Sequence, residues 1–119
     1  MPVVATTIRL NAADRTLRVE FDDGTTTSLS AEYLRVESPS AEVQGHGPDQ
    51  KRIVPGKRSV AIIGIEPVGN YAVRLLFEDG HDTGIYSWEY LFELGTQQTQ
   101  RWNAYLAALH ERGLSRDAV

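Results

Sequence analysis

Residues 17–34 read LRVEFDDGTTTSLSAEYL, and residues 73–91 read VRLLFEDGHDTGIYSWEYL. The two stretches are one pattern written twice. At an offset of 56, Arg18, Phe21, Asp23, Gly24 and Thr27 meet Arg74, Phe77, Asp79, Gly80 and Thr83. One extra residue then moves the offset to 57, where Ser30, Glu32, Tyr33 and Leu34 meet Ser87, Glu89, Tyr90 and Leu91. Two copies are too few for a stacked solenoid. They read as one supersecondary unit used twice.

The unit follows from its residues. Leu17, Val19 and Phe21 alternate, as do Val73, Leu75 and Phe77, so each run predicts a half-buried strand. Asp23-Gly24 and Asp79-Gly80 follow, and Asp-Gly supplies the positive φ that a tight hairpin needs. A return strand is expected over Thr25–Leu29 and again over His81–Tyr86. Ser30 and Ser87 then stand where an N-cap would satisfy a free backbone N–H of a short helix. Each half therefore reads strand, turn, strand, short helix.

Further elements surround the repeat. Thr6–Leu10 predicts a first strand turning at Asn11–Asp14, and Val60–Glu66 another, with a turn at Pro67–Asn70. Gln98, Trp102, Tyr105, Leu106 and Leu109 follow helical spacing, which gives a C-terminal helix over 96–113 with Thr96 as cap and Gly113 as stop. Residues 114–119 are expected to fray. Between the copies lies 36–59, a long loop rich in Pro and Gly, with a short strand expected near Ile53-Val54; long loops in compact domains are often functional. The expectation is one α+β domain over 1–119: a twisted, mainly antiparallel sheet from two related hairpin–short-helix units, plus a C-terminal helix.

Composition narrows the chemistry. The chain has 119 residues, a net charge of −4 and no cysteine. One modest core suits that length. An acidic balance offers no global field for nucleic acid or an anionic membrane. Without cysteine there is no disulfide, thiolate metal site, cysteine-bound cluster or cysteine nucleophile. No basic region followed by a long apolar stretch opens the chain, and no apolar run approaches the ~20 residues of a membrane span, so a cytoplasmic location is expected.

His81 is the first candidate for chemistry. It sits one residue after the turn glycine, where the first copy has Thr25, which favours an exposed hairpin position. Asp79 and Asp82 flank it and would raise its pKa or join it on a cation. An iron facial triad commonly begins from an H-x-D/E pair, yet the residues two beyond His46, His81 and His110 are Pro48, Thr83 and Arg112. A phosphate loop is also excluded, because Lys51 and Arg58 stand where the Walker pattern around Gly56-Lys57 needs Gly and Ser or Thr. No G-x-S-x-G elbow is present. What remains is a group of cations, Lys51, Arg52, Lys57 and Arg58, suited to an anion or an acidic partner. Trp88 replaces Ala31 of the first copy and reads as a core filler or as an exposed anchor.

The stretches YLRVESPSAEVQGHGP and IEPVGNYAVRLLFEDGHDTGIYSWEYLFELG, with their spacing, resemble the gamma-butyrobetaine-hydroxylase-like N-terminal domain family over about residues 6–95. The resemblance implies a small β-rich domain. In the family it stands alone in bacteria, or is fused to 2-oxoglutarate oxygenases or to Mrp-type P-loop iron–sulfur carriers. For the fused hydroxylases it implies a zinc site made of a C-x-C-x-x-C run after a Leu-Arg pair and a later histidine. Here Leu34-Arg35 matches the pair, the cysteine positions fall on Ser38, Ser40 and Val43, and the histidine falls on His81. Three of four ligands are absent, so a zinc site of that type is not expected. If the four positions still meet, they pack without metal, and His46 could approach His81.

The expected function is that of a non-catalytic accessory or protein-interaction module. By analogy with the fusions its partner would be an iron–sulfur carrier or an oxygenase. The expected surface comprises His46, Lys51, Arg52, Lys57, Arg58, His81 and Trp88. The alternative is a metal- or small-ligand-binding domain that uses His81 with nearby carboxylates or His46. No resident cofactor is expected, a divalent metal at His81 being the one alternative.

Overall fold

Residues 3–117 are described by a computed structural model. Each copy of the repeat forms a three-stranded antiparallel meander followed by a helix. The first contains β1 (Ala5–Asn11), β2 (Thr16–Phe21), β3 (Thr26–Ser30) and α1 (Ala31–Val36). The second contains β4 (Ile62–Val68), β5 (Ala72–Phe77), β6 (Ile85–Ser87) and α3 (Trp88–Thr96). The short α2 (Ala41–Gln44) and a 3-10 turn at Pro48–Gln50 lie between the copies, and α4 (Gln98–Glu111) follows them. The strands hydrogen-bond as two separate sheets, ordered β1-β2-β3 and β4-β5-β6.

The alternation of apolar residues sets which face each sheet buries. Leu17, Val19 and Phe21 of β2 and Val73, Leu75 and Phe77 of β5 all enter one core with Leu29 and Tyr86. Gly24 and Gly80 take φ of +86° and +90° in the Asp-Gly turns, a region that costs an L side chain steric strain. In each turn the aspartate locks the exit: Asp23 Oδ1 accepts the Thr25 N–H at 2.9 Å, and Asp79 Oδ1 accepts the His81 N–H at 3.1 Å.

The repeat extends further upstream than its residues reveal. β1 and β4 each carry a register shift one residue in, between Ala5 and Thr7 and between Ile62 and Gly64. The Asp22 and Glu78 carboxylates clamp the strand entrances by accepting the Val4 and Ala61 N–H groups. β4 corrects expectation, because it runs Ile62–Val68 and includes Pro67. A proline is tolerated there because β4 is an edge strand, where the missing N–H breaks no ladder. Ile53 and Val54 form no strand; the Val54 carbonyl instead accepts the Tyr105 hydroxyl.

Ser30 and Ser87 cap α1 and α3 as expected, each accepting the N–H of the tyrosine three residues on. Those tyrosines then cross between the copies. Tyr33 Oη donates to the Leu94 carbonyl at 2.7 Å, and Tyr90 Oη donates to the Glu37 carbonyl. The exchange obeys the offset of 57 at both ends, since Tyr33 and Tyr90 correspond, as do Glu37 and Leu94. Each hydroxyl thereby satisfies a carbonyl at the C-terminal end of the other helix, where intrahelical donors run out.

The C-terminal region departs from expectation in two places. Thr96 ends α3 and does not cap α4; Gln97 is the cap, and its side chain accepts no backbone N–H of the first turn. Residues 114–117 do not fray. Gly113 turns the chain at φ +64°, Gly56 and Arg58 donate backbone N–H groups to Ser115 and Arg116, and Arg116 makes a double bond-pair to the buried Glu32 carboxylate. Residues 118 and 119 lie outside the described residues. α4 packs Tyr105 and Leu109 with Val36 in a second, smaller core, while Leu106 points outward.

Tyr33→Phe and Tyr90→Phe each remove one bond of this reciprocal exchange with little change of shape. Each is expected to lower the unfolding free energy by about 1 kcal/mol, measured by urea denaturation. The slope of the transition should stay unchanged because the buried area is preserved.

Candidate functional site

The hairpin turn of the second copy brings His81 against the chain that leaves α1. Ser38 Oγ lies 2.8 Å from His81 Nε2, and Glu42 Oε2 lies 3.1 Å from Nδ1. Ser40 Oγ meets Thr83 Oγ1 at 2.7 Å, and Val43 is buried. The four positions matched by the resemblance, Ser38, Ser40, Val43 and His81, therefore do come together. Gly84 permits this closeness: a Cβ there would lie 2.6 Å from Ser38 Oγ. In the first copy the equivalent contact is Gly95 on Thr27, equally tight at 2.8 Å.

His81 is 6% exposed, which corrects the exposed hairpin position expected of it. Burial pushes its pKa down, and the Arg35 guanidinium adds to that; the opposing pull of Glu42 and Asp79 is smaller. This reverses the upward shift expected from its aspartate neighbours, since desolvating an imidazolium outweighs them. The network fixes a neutral tautomer, with Nδ1–H donating to Glu42 and Nε2 accepting the Ser38 hydroxyl proton. The Ser38 oxygen in turn accepts the Ser40 N–H at 3.3 Å.

Ser38, His81 and Glu42 stand in the order of a nucleophile, base and acid, but the serine cannot serve as a nucleophile. It is fully buried, with its oxygen held between His81 Nε2 and the Ser40 N–H. A hydrolytic serine must reach substrate and an oxyanion hole. Asp79 is equally committed. Burial alone would raise its pKa, yet Lys57, the His81 N–H and Arg35 hold it at about 2. Lys57 Nζ and Arg35 Nε donate to its Oδ2 at 2.6 and 2.9 Å. Asp82 is exposed, and no polar contact joins His46 to His81 among the described residues. Among those residues, no group of three or more His, Cys, Asp or Glu gathers in a metal-sized cluster.

The cations of the 44–58 segment divide. Lys51 pairs with the buried Glu37, Lys57 with Asp79, and Arg58 with Asp117. Arg52 is exposed and enters none of the ion pairs among the described residues. Trp88 is half-buried against the main core and donates Nε1–H to the Asn70 carbonyl, so the core-filler reading describes it. Sequence reading missed Glu42 and Glu37. Glu42 carries no signal in the chain. Glu37 had one: the offset of 57 places an acid where the other copy has Leu94.

His81 and Asp79 predict separate pH windows. His81 titrates lower in the folded state than its ordinary 6.5, so the unfolded chain binds the proton first and stability declines as pH falls below that value. Asp79 is depressed from 3.8 to about 2, so its contribution is present above 3.8 and is lost between there and 2. Melting temperature should fall from pH 7 to pH 5 in the native protein and stay flat over that range in His81→Gln. The lower limb should weaken only in Asp79→Asn.

Comparison with known proteins agrees with this architecture. A family model described as gamma-butyrobetaine hydroxylase-like, N-terminal, matches residues 8–92. Two solution NMR structures are 47% and 48% identical, with TM-scores of 0.82 and 0.84; they cover 96% and 97% of this chain and 90% and 86% of their own. A crystal structure of a DUF971-family protein of unknown function from Acidithiobacillus ferrooxidans is 43% identical, with a TM-score of 0.65, covering 76% of this chain and 91% of its own. No curated protein matches. No helix among the described residues is long and apolar enough to cross a membrane. The chain belongs to the gamma-butyrobetaine hydroxylase-like N-terminal domain family.

Proposed function

We propose that this domain is a non-catalytic accessory module that docks onto a protein partner. By analogy with the fused members of its family, the partner is an iron–sulfur carrier or a 2-oxoglutarate oxygenase. One observation carries the reading. The side chains capable of chemistry are spent on one another, Ser38 and Glu42 on His81, and Lys57 and Arg35 on Asp79. The 44–58 segment meanwhile holds Arg52 and His46 exposed at the surface. Free rim charges of this kind guide association and select partners without doing chemistry.

The docking surface is narrower than the sequence suggested. Lys51 and Lys57 hold buried or half-buried carboxylates, so neutralising them perturbs the fold as well as any contact. Arg52 is the informative position. A metal reading through His81 gains no support from its geometry, because both ring nitrogens already have partners.

The test is capture on the immobilised domain from a lysate of the native cells, with partners identified by mass spectrometry. The expected result is enrichment of an iron–sulfur carrier or an oxygenase, reduced about tenfold by Arg52→Glu, which corresponds to roughly 1.4 kcal/mol, at an unchanged melting temperature. Recovery undiminished by Arg52→Glu would rule out this surface. Enrichment of neither class would rule out the partner.

A further inference from the structure

A cavity of about 230 Å³ opens between the end of α1, residues 51–53 and α4. Its interior is apolar. Val36 and Tyr105 are buried there, and Ile53 and Ala104 complete the wall. The Tyr105 hydroxyl is committed to the Val54 carbonyl, so the tyrosine offers the cavity carbon.

The lip is cationic. The Glu37 side chain is 3% exposed, and a single oxygen, Oε1, accepts from both Lys51 Nζ and Arg101 Nη1 at 2.8 Å. Arg101 is further committed to Glu93 and Gln97 through its other two nitrogens. Lys51 is not: an ammonium has three donors, and only one of them is engaged among the described residues. Arg52 lines the same cavity and has no ion-pair partner among those residues. In a chain of net charge −4, this lip concentrates unspent positive charge beside an apolar chamber.

We infer that this cavity binds a small monocarboxylate with an apolar body, either a short aliphatic or a simple aromatic acid. The carboxylate meets Lys51 and Arg52, and the body lies against Val36, Ile53 and Ala104. Charge-assisted hydrogen bonds supply orientation, and displaced water supplies most of the affinity. A compact dianion such as phosphate would gain nothing from the apolar wall. The volume falls below the ~300 Å³ at which drug-sized sites begin, so the ligand is fragment-sized. The inference does not depend on the protein-docking reading.

The test is an amide-shift NMR titration of the full chain with benzoate, hexanoate and the neutral benzamide. Both acids should give saturable shifts at residues 51–54 and 101–105, and benzamide none. Arg52→Gln, which breaks no internal pair, should weaken binding about tenfold. Ala104→Leu fills the cavity without touching a charge and should abolish it. Absence of saturable shifts, equal binding of benzamide, or shifts that survive Ala104→Leu would each overturn the assignment. Ala104→Leu also separates the two readings, since it removes carboxylate binding and leaves the Arg52 charge available to a protein partner.

Discussion

The reciprocal exchange of the Tyr33 and Tyr90 hydroxyls between the copies, reinforced by Tyr86 donating to the Leu34 carbonyl, is the constraint on which the remaining structure depends. α1 has six residues, far below the ~12–15 at which a helix holds in water by itself. Its carbonyls at the C-terminal end lack intrahelical donors, and so do those of α3. A buried phenol without an acceptor is likewise unfavourable. The exchange of Tyr33 to Leu94 and Tyr90 to Glu37 removes both defects at once. It also fixes the relative placement of two sheets that share no strand-to-strand hydrogen bonds. Leu34 and Leu91, one residue past each tyrosine, are fully buried in the same core, so the polar exchange and the apolar packing specify one arrangement.

Chemistry collects where that symmetry breaks. After α1 the chain makes the 37–61 segment; after α3 it makes α4. These unrepeated pieces close on each other through Tyr105 to Val54, Arg101 to Glu37, and the tail from Ser115 to Gly56. The same Glu37 whose carbonyl ends the tyrosine exchange presents its carboxylate to Lys51 and Arg101. The cationic lip of the cavity is thus positioned by the interaction that joins the two copies, and it has no counterpart at Leu94.

The sequence made the hairpins legible because their signals are local. Alternating Leu17, Val19 and Phe21, the Asp-Gly turns and the capping serines each act within a few residues. The upstream strands were harder to align. Ala5-Thr6-Thr7-Ile8 and Ile62-Ile63-Gly64-Ile65 share a bulge and a clamp but only one residue type, because an edge strand constrains backbone pairing more than side-chain identity. Long-range polar contacts were the least visible. The burial of His81 depends on Ser38 and Glu42, 43 and 39 residues away. The ordered tail depends on Arg116 finding Glu32 across 84 residues. Neither contact leaves a periodic trace. The family resemblance bears on the first of these, since it leaves open a meeting of Ser38, Ser40, Val43 and His81.

The His81 node joins the 38–43 segment to the second hairpin through hydrogen bonds between side chains. A metal held by thiolates cross-links a loop to a hairpin and contributes directly to folding free energy. Here serine hydroxyls and a valine occupy the three positions that the resemblance matches to cysteine. The cross-link is made instead by Ser38 to His81, Ser40 to Thr83 and the paired cations on Asp79. Each of these contacts joins a donor to an acceptor, and among the described residues Arg35 Nη1 is the buried side-chain atom left without a partner. Val43 contributes packing and has no donor atom to offer an ion. The loop therefore stays seated on the hairpin because its own hydrogen bonds close, and the neutral state of His81 is the protonation state that lets them close.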